Sequence, residues 1–271
     1  MLRDRVRSAF LFGIPVLAML LAGGPWMALL VLGVGTMAML EFVHLVARKG
    51  HRAFGGLLVA VMVLFVADRV WPEVGLLGPG LAVFLIVTMG WALVRFRQGT
   101  ANAVTGFAMT LAAALYIGWS AAHFVGLRAL PDGLFWTLST VLAVWTADTA
   151  AYEFGRRIGR SPLIKDVSPN KTWEGYLSGI AVSTIISGLL PLLWQLLGAS
   201  EAVKPEYGLA LGALLSTITP LGDLGISMIK RYTGAKDSSN LIPGHGGFLD
   251  RIDSLIVASL LGYYFLTIVV F

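Results

Sequence analysis

The feature that most constrains this chain is a series of apolar runs, each about as long as a helix that crosses a lipid bilayer. Such a helix needs about 20 predominantly apolar residues, because the hydrocarbon core is about 30 Å thick. The composition agrees: 57% of the residues are hydrophobic, 13% are charged and the mean hydropathy is +0.80. A soluble domain carries about 25% charged residues. The sequence therefore predicts an all-α, polytopic integral membrane protein.

We predict about nine transmembrane helices. The first is short and contains Pro15, and the break at Gly23-Gly24-Pro25 makes it one arm of a helical hairpin with the second. Arginines before this short apolar run also resemble a signal peptide, whose cleavage would leave eight spans. The predicted spans are 8–23, 25–47, 53–71, 74–94, 103–127, 133–151, 175–199, 206–229 and 252–271.

The positive residues are distributed asymmetrically between these spans. If the N-terminus and the even-numbered loops share one side of the membrane, every lysine and arginine lies on that side except Arg69, Arg128 and Lys204. Loops rich in lysine and arginine stay in the cytoplasm. We therefore expect a cytoplasmic N-terminus and two long cytoplasmic loops, 152–174 and 230–251. The expected location is the inner cell membrane, with the active site facing the cytoplasm.

A compositional boundary near Gly99–Asn102 separates two regions. Residues 1–101 form nearly featureless transmembrane helices, whereas residues 102–271 contain the candidate chemical residues and both long loops. In the first region, Glu41 and His44 lie one turn apart near the cytoplasmic end of the second span, and we interpret them as side chains that reach the membrane interface. The chain has no cysteine, which excludes disulfides and thiol nucleophiles.

The stretch Ser227–Asp253 is the longest polar interruption in the apolar C-terminal half. Its 27 residues include three aspartates, four cations, one histidine and four glycines. Cations and carboxylates together suit a phosphate ligand held with a divalent metal ion. Asp250 and Asp253 are three residues apart at the start of the ninth span, so on a helix they share a face. The alternative is that they are only capping residues that favour the helix dipole.

Two carboxylates lie inside predicted spans, where charge is costly and usually functional. Asp148 lies in the sixth span, and we interpret it as a metal or nucleotide contact, with an interhelical hydrogen bond as the alternative. Asp223 follows Pro220, which removes a helix hydrogen bond, and it lies between Gly222 and Gly225, which loosen the turn. We interpret Asp223 as a metal ligand that faces a cytoplasmic cavity, with a plain proline kink as the alternative.

The basic loop 152–174 ends in Ser-Pro-Asn-Lys-Thr-Trp-Glu, beginning at Ser168, and Gly175 follows it. We predict that Ser168 and Pro169 start a helix, with the serine as N-cap and the proline at the first position. Helix N-termini and lysines bind phosphate, which makes Lys171 a candidate phosphate ligand. Trp173 suits either base stacking or the headgroup layer of the membrane.

This inventory suits metal-dependent phosphoryl or nucleotidyl transfer at a bilayer surface. The sequence has no P-loop and no metalloprotease motif. A membrane transporter is the main alternative, because broken helices and intramembrane carboxylates are transporter features. A transporter, however, predicts polar residues on both sides of the membrane and an internal repeat. This sequence places almost all of them on one side and shows no repeat. A polyprenyl-phosphate sugar-phosphate transferase is a further alternative among metal-dependent enzymes.

Motifs between about residues 140 and 253 resemble those of the phosphatidate cytidylyltransferases, also called CDP-diacylglycerol synthases. The resemblance rests on Ser227-x-Ile229-Lys230-Arg231, on Lys236-Asp237-x-Ser239, on the run from Ile242 to Asp253, and on the segment from Ser168 to Gly175. It implies condensation of CTP with phosphatidate to CDP-diacylglycerol and pyrophosphate in phospholipid biosynthesis. It also implies a Mg²⁺ cofactor with K⁺ as a possible second cation, and a homodimer.

The resemblance also implies roles for individual residues. Asp223 and Asp250 match the positions that hold the metal ions, with Asp148 and Asp253 nearby. Lys171 and His245 match positions that hold phosphates and, with Asp223 and Asp250, make up the predicted catalytic set. The predicted substrate-binding residues are Asp148, Ser168, Asn170, Lys171, Thr172, Lys230, Arg231, Lys236, Asp237, Gly246, Gly247 and Arg251.

Overall fold

The computed structural model describes residues 2–244 and 246–271, with side chains from Leu11 onward. The described part is mostly helical, with a small two-stranded sheet. Its helices are α1 (Leu2–Ala22), α2 (Gly24–Ala47), α3 (Gly55–Val70), α4 (Leu77–Arg97), α5 (Ala103–Ala112), α6 (Ser120–Ala129), α7 (Gly133–Ile158), α8 (Trp173–Leu196), α9 (Pro205–Ile218), α10 (Pro220–Thr233) and α11 (Leu249–Phe265). A π-helical segment, Ala113–Trp119, joins α5 to α6, and another, Leu266–Val270, follows α11.

Six helical segments in the described residues are long and apolar enough to cross a membrane. They are Gly24–Ala47, Leu77–Arg97, Ala103–Ala129, Trp173–Leu196, Pro205–Thr233 and Leu249–Val270. These lengths and compositions are those of an integral membrane protein. The other three predicted spans coincide with α1, α3 and α7, and a total of nine crossings stays a prediction.

The chain divides into two compact units, which are described separately. The first unit comprises Met1–Gly126 and Ile229–Ile252, and the second comprises Leu127–Met228 and Asp253–Phe271. In the first unit, α2 and α3 pack against each other and against the π-helical segment Ala113–Trp119. Met39, Phe65 and Ile117, one from each element, are fully buried there. The predicted boundary after residue 101 separates nearly featureless helices from the candidate functional residues, and it stays a prediction.

In the second unit, α8 packs between α7 and α9 through small residues. Side chains at Gly175 and Gly179 of α8 would collide with backbone oxygens of α7. A side chain at Gly208 of α9 would likewise collide with the backbone of α8. The Ser183 hydroxyl of α8 donates to the Ala143 carbonyl of α7 at 2.7 Å. Close backbone approach and interhelical hydrogen bonds are the usual means by which helices associate in lipid.

The prediction that Ser168 and Pro169 start a helix is wrong. Ser168–Thr172 forms strand β2, which pairs antiparallel with β1 (Pro162–Ile164), and α8 begins only at Trp173. The turn after Pro220, which was predicted to be loosened, is helical and forms the start of α10. Thr219, between α9 and α10, has helical angles as well (φ −62°, ψ −26°). The helices extend beyond the predicted spans, so the two long loops are shorter than predicted and comprise residues 159–172 and 234–248.

Candidate active site

Lys171 and Asp223 form an ion pair within the second unit. The Lys171 Nζ lies 2.5 Å from Asp223 Oδ2, and the two side chains are 28% and 30% exposed. Lys171 is in β2 and Asp223 is in the first turn of α10. The other carboxylate oxygen of Asp223 accepts a hydrogen bond from the Ser227 hydroxyl at 3.1 Å, one turn along the same helix. The structure therefore brings together two predicted catalytic residues that are 52 positions apart in the sequence.

The β1–β2 hairpin that carries Lys171 is held by the N-terminus of α8. The Thr172 hydroxyl accepts from the Gly175 amide at 3.2 Å and so caps this helix. The Glu174 carboxylate accepts from the amides of Arg160 and Ser161, and the Trp173 amide donates to the Ser161 carbonyl at 2.9 Å. These bonds connect the beginning and the end of the hairpin, and they fix the position of Lys171 between them.

Asp148 lies close enough to both Lys171 and Asp223 to interact with them electrostatically. It is exposed on α7, which packs against the hairpin strand β2. Asp253 belongs to the same unit, and its carbonyl lies against Gly222, where a side chain would collide with it. The turns of α10 and α11 that carry Asp223 and Asp253 are therefore neighbours. The predicted cluster Asp148, Lys171 and Asp223 is one local arrangement.

The remaining predicted residues of the hairpin differ in their surroundings. Asn170 is exposed on β2, whereas Ser168 is half-buried at the start of this strand. Thr172 was expected to bind substrate, but its hydroxyl is engaged in capping α8. Substrate contacts by Ser168, Asn170 and Thr172 stay predictions.

Lys230 and Asp250 form a second ion pair, within the first unit. The Lys230 Nζ lies 2.7 Å from Asp250 Oδ1, and the side chains are only 13% and 5% exposed. The second carboxylate oxygen, Oδ2, accepts from the amides of Ser238 and Gly247 at 2.8 and 3.0 Å. The Ser238 hydroxyl also lies 2.9 Å from this oxygen. Asp250 is thus fixed by the end of α10 and by both ends of the loop 234–248.

The structure also shows a residue that the sequence interpretation missed. We interpreted Glu41 as a side chain that reaches the membrane interface, but it is 3% exposed on α2 and accepts hydrogen bonds from the loop 234–248 and the start of α11. The available signal was its position, since a carboxylate at the end of an otherwise apolar helix is costly unless it has partners. His44 is exposed, as expected, and its Nδ1 is bonded to the Leu40 carbonyl.

Two predicted glycines of this loop lie against the Asp250 carboxylate and its partners. Gly246 has a positive φ of 80°, and any side chain there would crowd the Asp250 carboxylate. A side chain at Gly247 would overlap both the Ser238 hydroxyl and the Glu41 carboxylate. Four residues predicted to bind substrate are exposed: Arg231, Lys236, Asp237 and Arg251. His245 lies outside the described residues.

The donor atoms fit Mg²⁺, which prefers carboxylate oxygens. Among the described residues no group of three or more histidine or acidic side chains is preassembled for a metal ion. Mg²⁺ commonly binds through one or two carboxylates, together with water and substrate phosphates. Asp223 with Asp148 beside it therefore offers a suitable partial ligand set. Each central carboxylate, Asp223 and Asp250, is at present neutralised by a lysine.

Comparison with known proteins places the chain in a family. The model of the cytidylyltransferase family matches residues 3–269. A phosphatidate cytidylyltransferase of Brucella suis biovar 1 (strain 1330) is 33% identical over 271 residues, covering 97% of this chain and 93% of the relative. One of Bacillus subtilis (strain 168) is 30% identical and covers 98% of both chains. One of Synechocystis sp. is 42% identical over 141 residues, covering 51% of this chain and 45% of the relative. The chain belongs to the cytidylyltransferase family.

Proposed function

We propose that this protein is a CTP:phosphatidate cytidylyltransferase of phospholipid biosynthesis. It condenses CTP with phosphatidate to give CDP-diacylglycerol and pyrophosphate. The observation that carries the proposal is the contact between Lys171 and Asp223, with Asp148 beside them, in a chain whose family match covers residues 3–269. Relatives that carry this activity in their names are similar to the chain over nearly its whole length.

The chemical step is an in-line displacement at the α-phosphorus of CTP. A phosphate oxygen of phosphatidate forms the new P–O bond, and the bond from the α-phosphorus to the bridging oxygen of the β-phosphate breaks. Pyrophosphate leaves with that electron pair. The lipid phosphate is already an anion, so the step needs no general base. Positioning and charge stabilisation supply most of the catalysis in such transfers.

The cations of the site bind the phosphates. Lys171 and Lys230 each hold a carboxylate in the structure, and an ammonium group that is partly exposed, as in Lys171, can turn to a phosphate oxygen. Arg231, Lys236 and Arg251 are exposed and add donors for the polyphosphate or the lipid headgroup. Arginine suits this role because its planar fork matches two phosphate oxygens. His245 is proposed as a further phosphate ligand on the basis of the family motif.

Mg²⁺ is the proposed cofactor, held by Asp223 with Asp148 and Asp253 in the second unit, and Asp250 is a proposed metal ligand in the first. The ion would stabilise charge on the phosphate oxygens and the pyrophosphate leaving group. K⁺ as a second cation and a homodimer are proposed from the family resemblance.

The proposed setting is a multi-pass protein of the inner membrane that crosses it nine times, with the N-terminus and the active site in the cytoplasm. Six segments with the length and hydropathy of a span support the membrane location. The concentration of lysine and arginine in the N-terminus and alternate loops supports the orientation. The catalytic residues then meet CTP from the cytoplasm and phosphatidate from the bilayer.

The experiment that tests the function is formation of CDP-diacylglycerol from CTP and phosphatidate by the purified protein in detergent. It is run with Mg²⁺ and with EDTA, for the wild type, Asp223→Asn and the control Asp166→Asn, which changes an exposed acid in the β1–β2 turn. We expect product only with Mg²⁺, loss of activity in Asp223→Asn and wild-type activity in Asp166→Asn. Product in Asp223→Asn would remove Asp223 from the site. Failure of the folded wild type with every divalent cation would overturn the function and favour transport.

A further inference from the structure

Glu41 accepts four hydrogen bonds from a part of the chain about 200 residues away. Its Oε1 accepts from the Ser239 hydroxyl at 2.7 Å and the Phe248 amide at 3.0 Å. Its Oε2 accepts from the Ser238 hydroxyl at 2.7 Å and the Leu249 amide at 2.9 Å. A carboxylate has about four lone-pair sites, so each one has a donor. A buried charge with this many donors is stabilised, whereas a neutral substitute would leave several of them unpaired.

Two of these donors are backbone amides at the start of α11. Amides at the beginning of a helix have no partner within the helix, and a negative charge there also favours the helix dipole. Glu41 therefore acts as an N-terminal cap for α11, supplied by α2. The residue that follows Leu249 is Asp250, the acid of the buried ion pair with Lys230. The carboxylate of Glu41 thus fixes the helical turn from which the Asp250 side chain projects.

Ser238 connects the two carboxylates directly. Its hydroxyl lies 2.7 Å from Glu41 Oε2 and 2.9 Å from Asp250 Oδ2, and its amide donates to the same Asp250 oxygen at 2.8 Å. Ser239 offers a natural comparison, since its hydroxyl also lies 2.7 Å from Glu41 but accepts its second hydrogen bond from the Leu241 amide at 3.2 Å and not from the Asp250 side of the loop. Gly247 completes the arrangement, because any side chain there would overlap both Ser238 and Glu41.

We propose that Glu41 is a positioning residue for the nucleotidyl transfer: it holds Ser238 and the first turn of α11 so that Asp250 keeps its contact with Lys230. The proposal rests on the proposed function, and it adds a residue from the region before residue 101, where the sequence indicated no chemistry. Glu41 acts through Ser238 and Asp250 and needs no contact with CTP or phosphatidate.

The kinetic test compares Glu41→Gln with Glu73→Gln, which changes an exposed acid in the turn after α3. Glutamine keeps the shape of glutamate, but its amide NH₂ group is a donor and faces donors that need an acceptor. We expect kcat for Glu41→Gln to fall at least tenfold at saturating CTP and phosphatidate, with both KM values within about threefold of the wild type. Glu73→Gln keeps wild-type values. A folded Glu41→Gln with wild-type kcat, or with an unchanged kcat and a raised KM, would overturn the proposal.

A matched pair of serine variants separates positioning from general stability. Ser238→Ala and Ser239→Ala each remove one hydroxyl bonded to Glu41, but only Ser238 also contacts Asp250. We expect Ser238→Ala to lower kcat at least fivefold more than Ser239→Ala, although their thermal midpoints are similar. Equal losses of kcat would show that Glu41 merely stabilises the loop. This pair decides the question even if Glu41→Gln does not fold.

Hydrogen exchange provides a measurement that does not depend on activity. In Glu41→Gln, or in Ser238→Ala if the former does not fold, we expect faster amide exchange in peptides covering residues 246–252, with unchanged exchange in α8. Unchanged exchange at 246–252 would overturn the proposal. A wild-type protein that makes no CDP-diacylglycerol under any condition would instead overturn the function, and faster exchange at 246–252 would still support the structural connection from Glu41 to Asp250.

Discussion

The Lys230 ammonium lies 2.7 Å from the Asp250 carboxylate, and both side chains are nearly buried. The ion pair of the second unit, between Lys171 and Asp223, is more open to its surroundings, with side chains about 30% exposed. Breaking a buried pair leaves a charge that neither water nor a partner can stabilise, and this costs about 3–5 kcal/mol. Breaking a partly exposed pair costs about 0–1 kcal/mol, because water replaces the partner. Loss of the Lys230–Asp250 pair should therefore destabilise the protein more than loss of the Lys171–Asp223 pair.

The first prediction compares Lys230→Met with Lys171→Met. We expect Lys230→Met to destabilise the protein by roughly 3 kcal/mol, the lower end of the range for a buried pair, because Asp250 keeps its bonds from Ser238 and Gly247. Lys171→Met should cost less than about 1 kcal/mol. Both variants should lose activity, since each removes a proposed phosphate ligand. Thermal unfolding in detergent and product formation measure the two effects, and equal thermal shifts would contradict this difference.

The second prediction concerns Gly247. Alanine at this position would overlap Ser238 and Glu41, so we expect Gly247→Ala to cost about 1–3 kcal/mol, as overpacking does elsewhere, and to lower kcat. Gly90→Ala is the control, because a side chain at Gly90 in α4 would meet nothing within 4 Å. The control should leave both the thermal midpoint and kcat unchanged. Similar behaviour of the two variants would show that the loop 234–248 adjusts without cost.

The third prediction separates two roles for Thr172. Thr172→Ala removes the cap of α8 and should cost about 1 kcal/mol, whereas Thr172→Ser keeps the hydroxyl and most of the stability. If capping is its only role, KM for CTP in Thr172→Ala stays within about twofold of the wild type at temperatures well below unfolding. Thermal midpoints and KM values for both variants measure this. A tenfold rise in KM with an unchanged midpoint would instead support the substrate contact predicted from the sequence.

Much of the helical framework was predictable because it follows from local composition. The predicted span 25–47 and the helix Gly24–Ala47 differ by a single residue at one end. An apolar run of this length has one stable form in lipid, a helix that satisfies its own backbone hydrogen bonds. The family resemblance implied a role for Lys171 and a role for Asp223, but it did not predict that the two side chains form an ion pair. The family resemblance inferred from the motifs is confirmed, because the family model matches residues 3–269.

Features that depend on distant contacts were not predictable. Ser168-Pro169 has the local form of a helix start, but the strand Pro162–Ile164 pairs with it, and the helix begins where Thr172 can cap it. Glu41 and Ser238 are separated by 197 positions, and no local pattern connects them. Residue type indicated that a carboxylate in an apolar helix needs partners, but only the folded chain identifies those partners.

The last prediction concerns a buried hydrogen bond between α7 and α8. The Trp194 indole N–H donates to the Ser139 hydroxyl at 2.8 Å, and both residues are buried. Ser139→Ala leaves the indole N–H without a partner, and we expect a cost of about 1–2 kcal/mol, between the values for interhelical bonds in lipid and for buried unsatisfied donors. Trp194→Phe removes that donor, so adding Ser139→Ala to it should cost at least about 0.5 kcal/mol less than in the wild type. Thermal unfolding of the four proteins in detergent measures this coupling. Strict additivity would mean that the loss in Ser139→Ala comes from packing and not from the hydrogen bond.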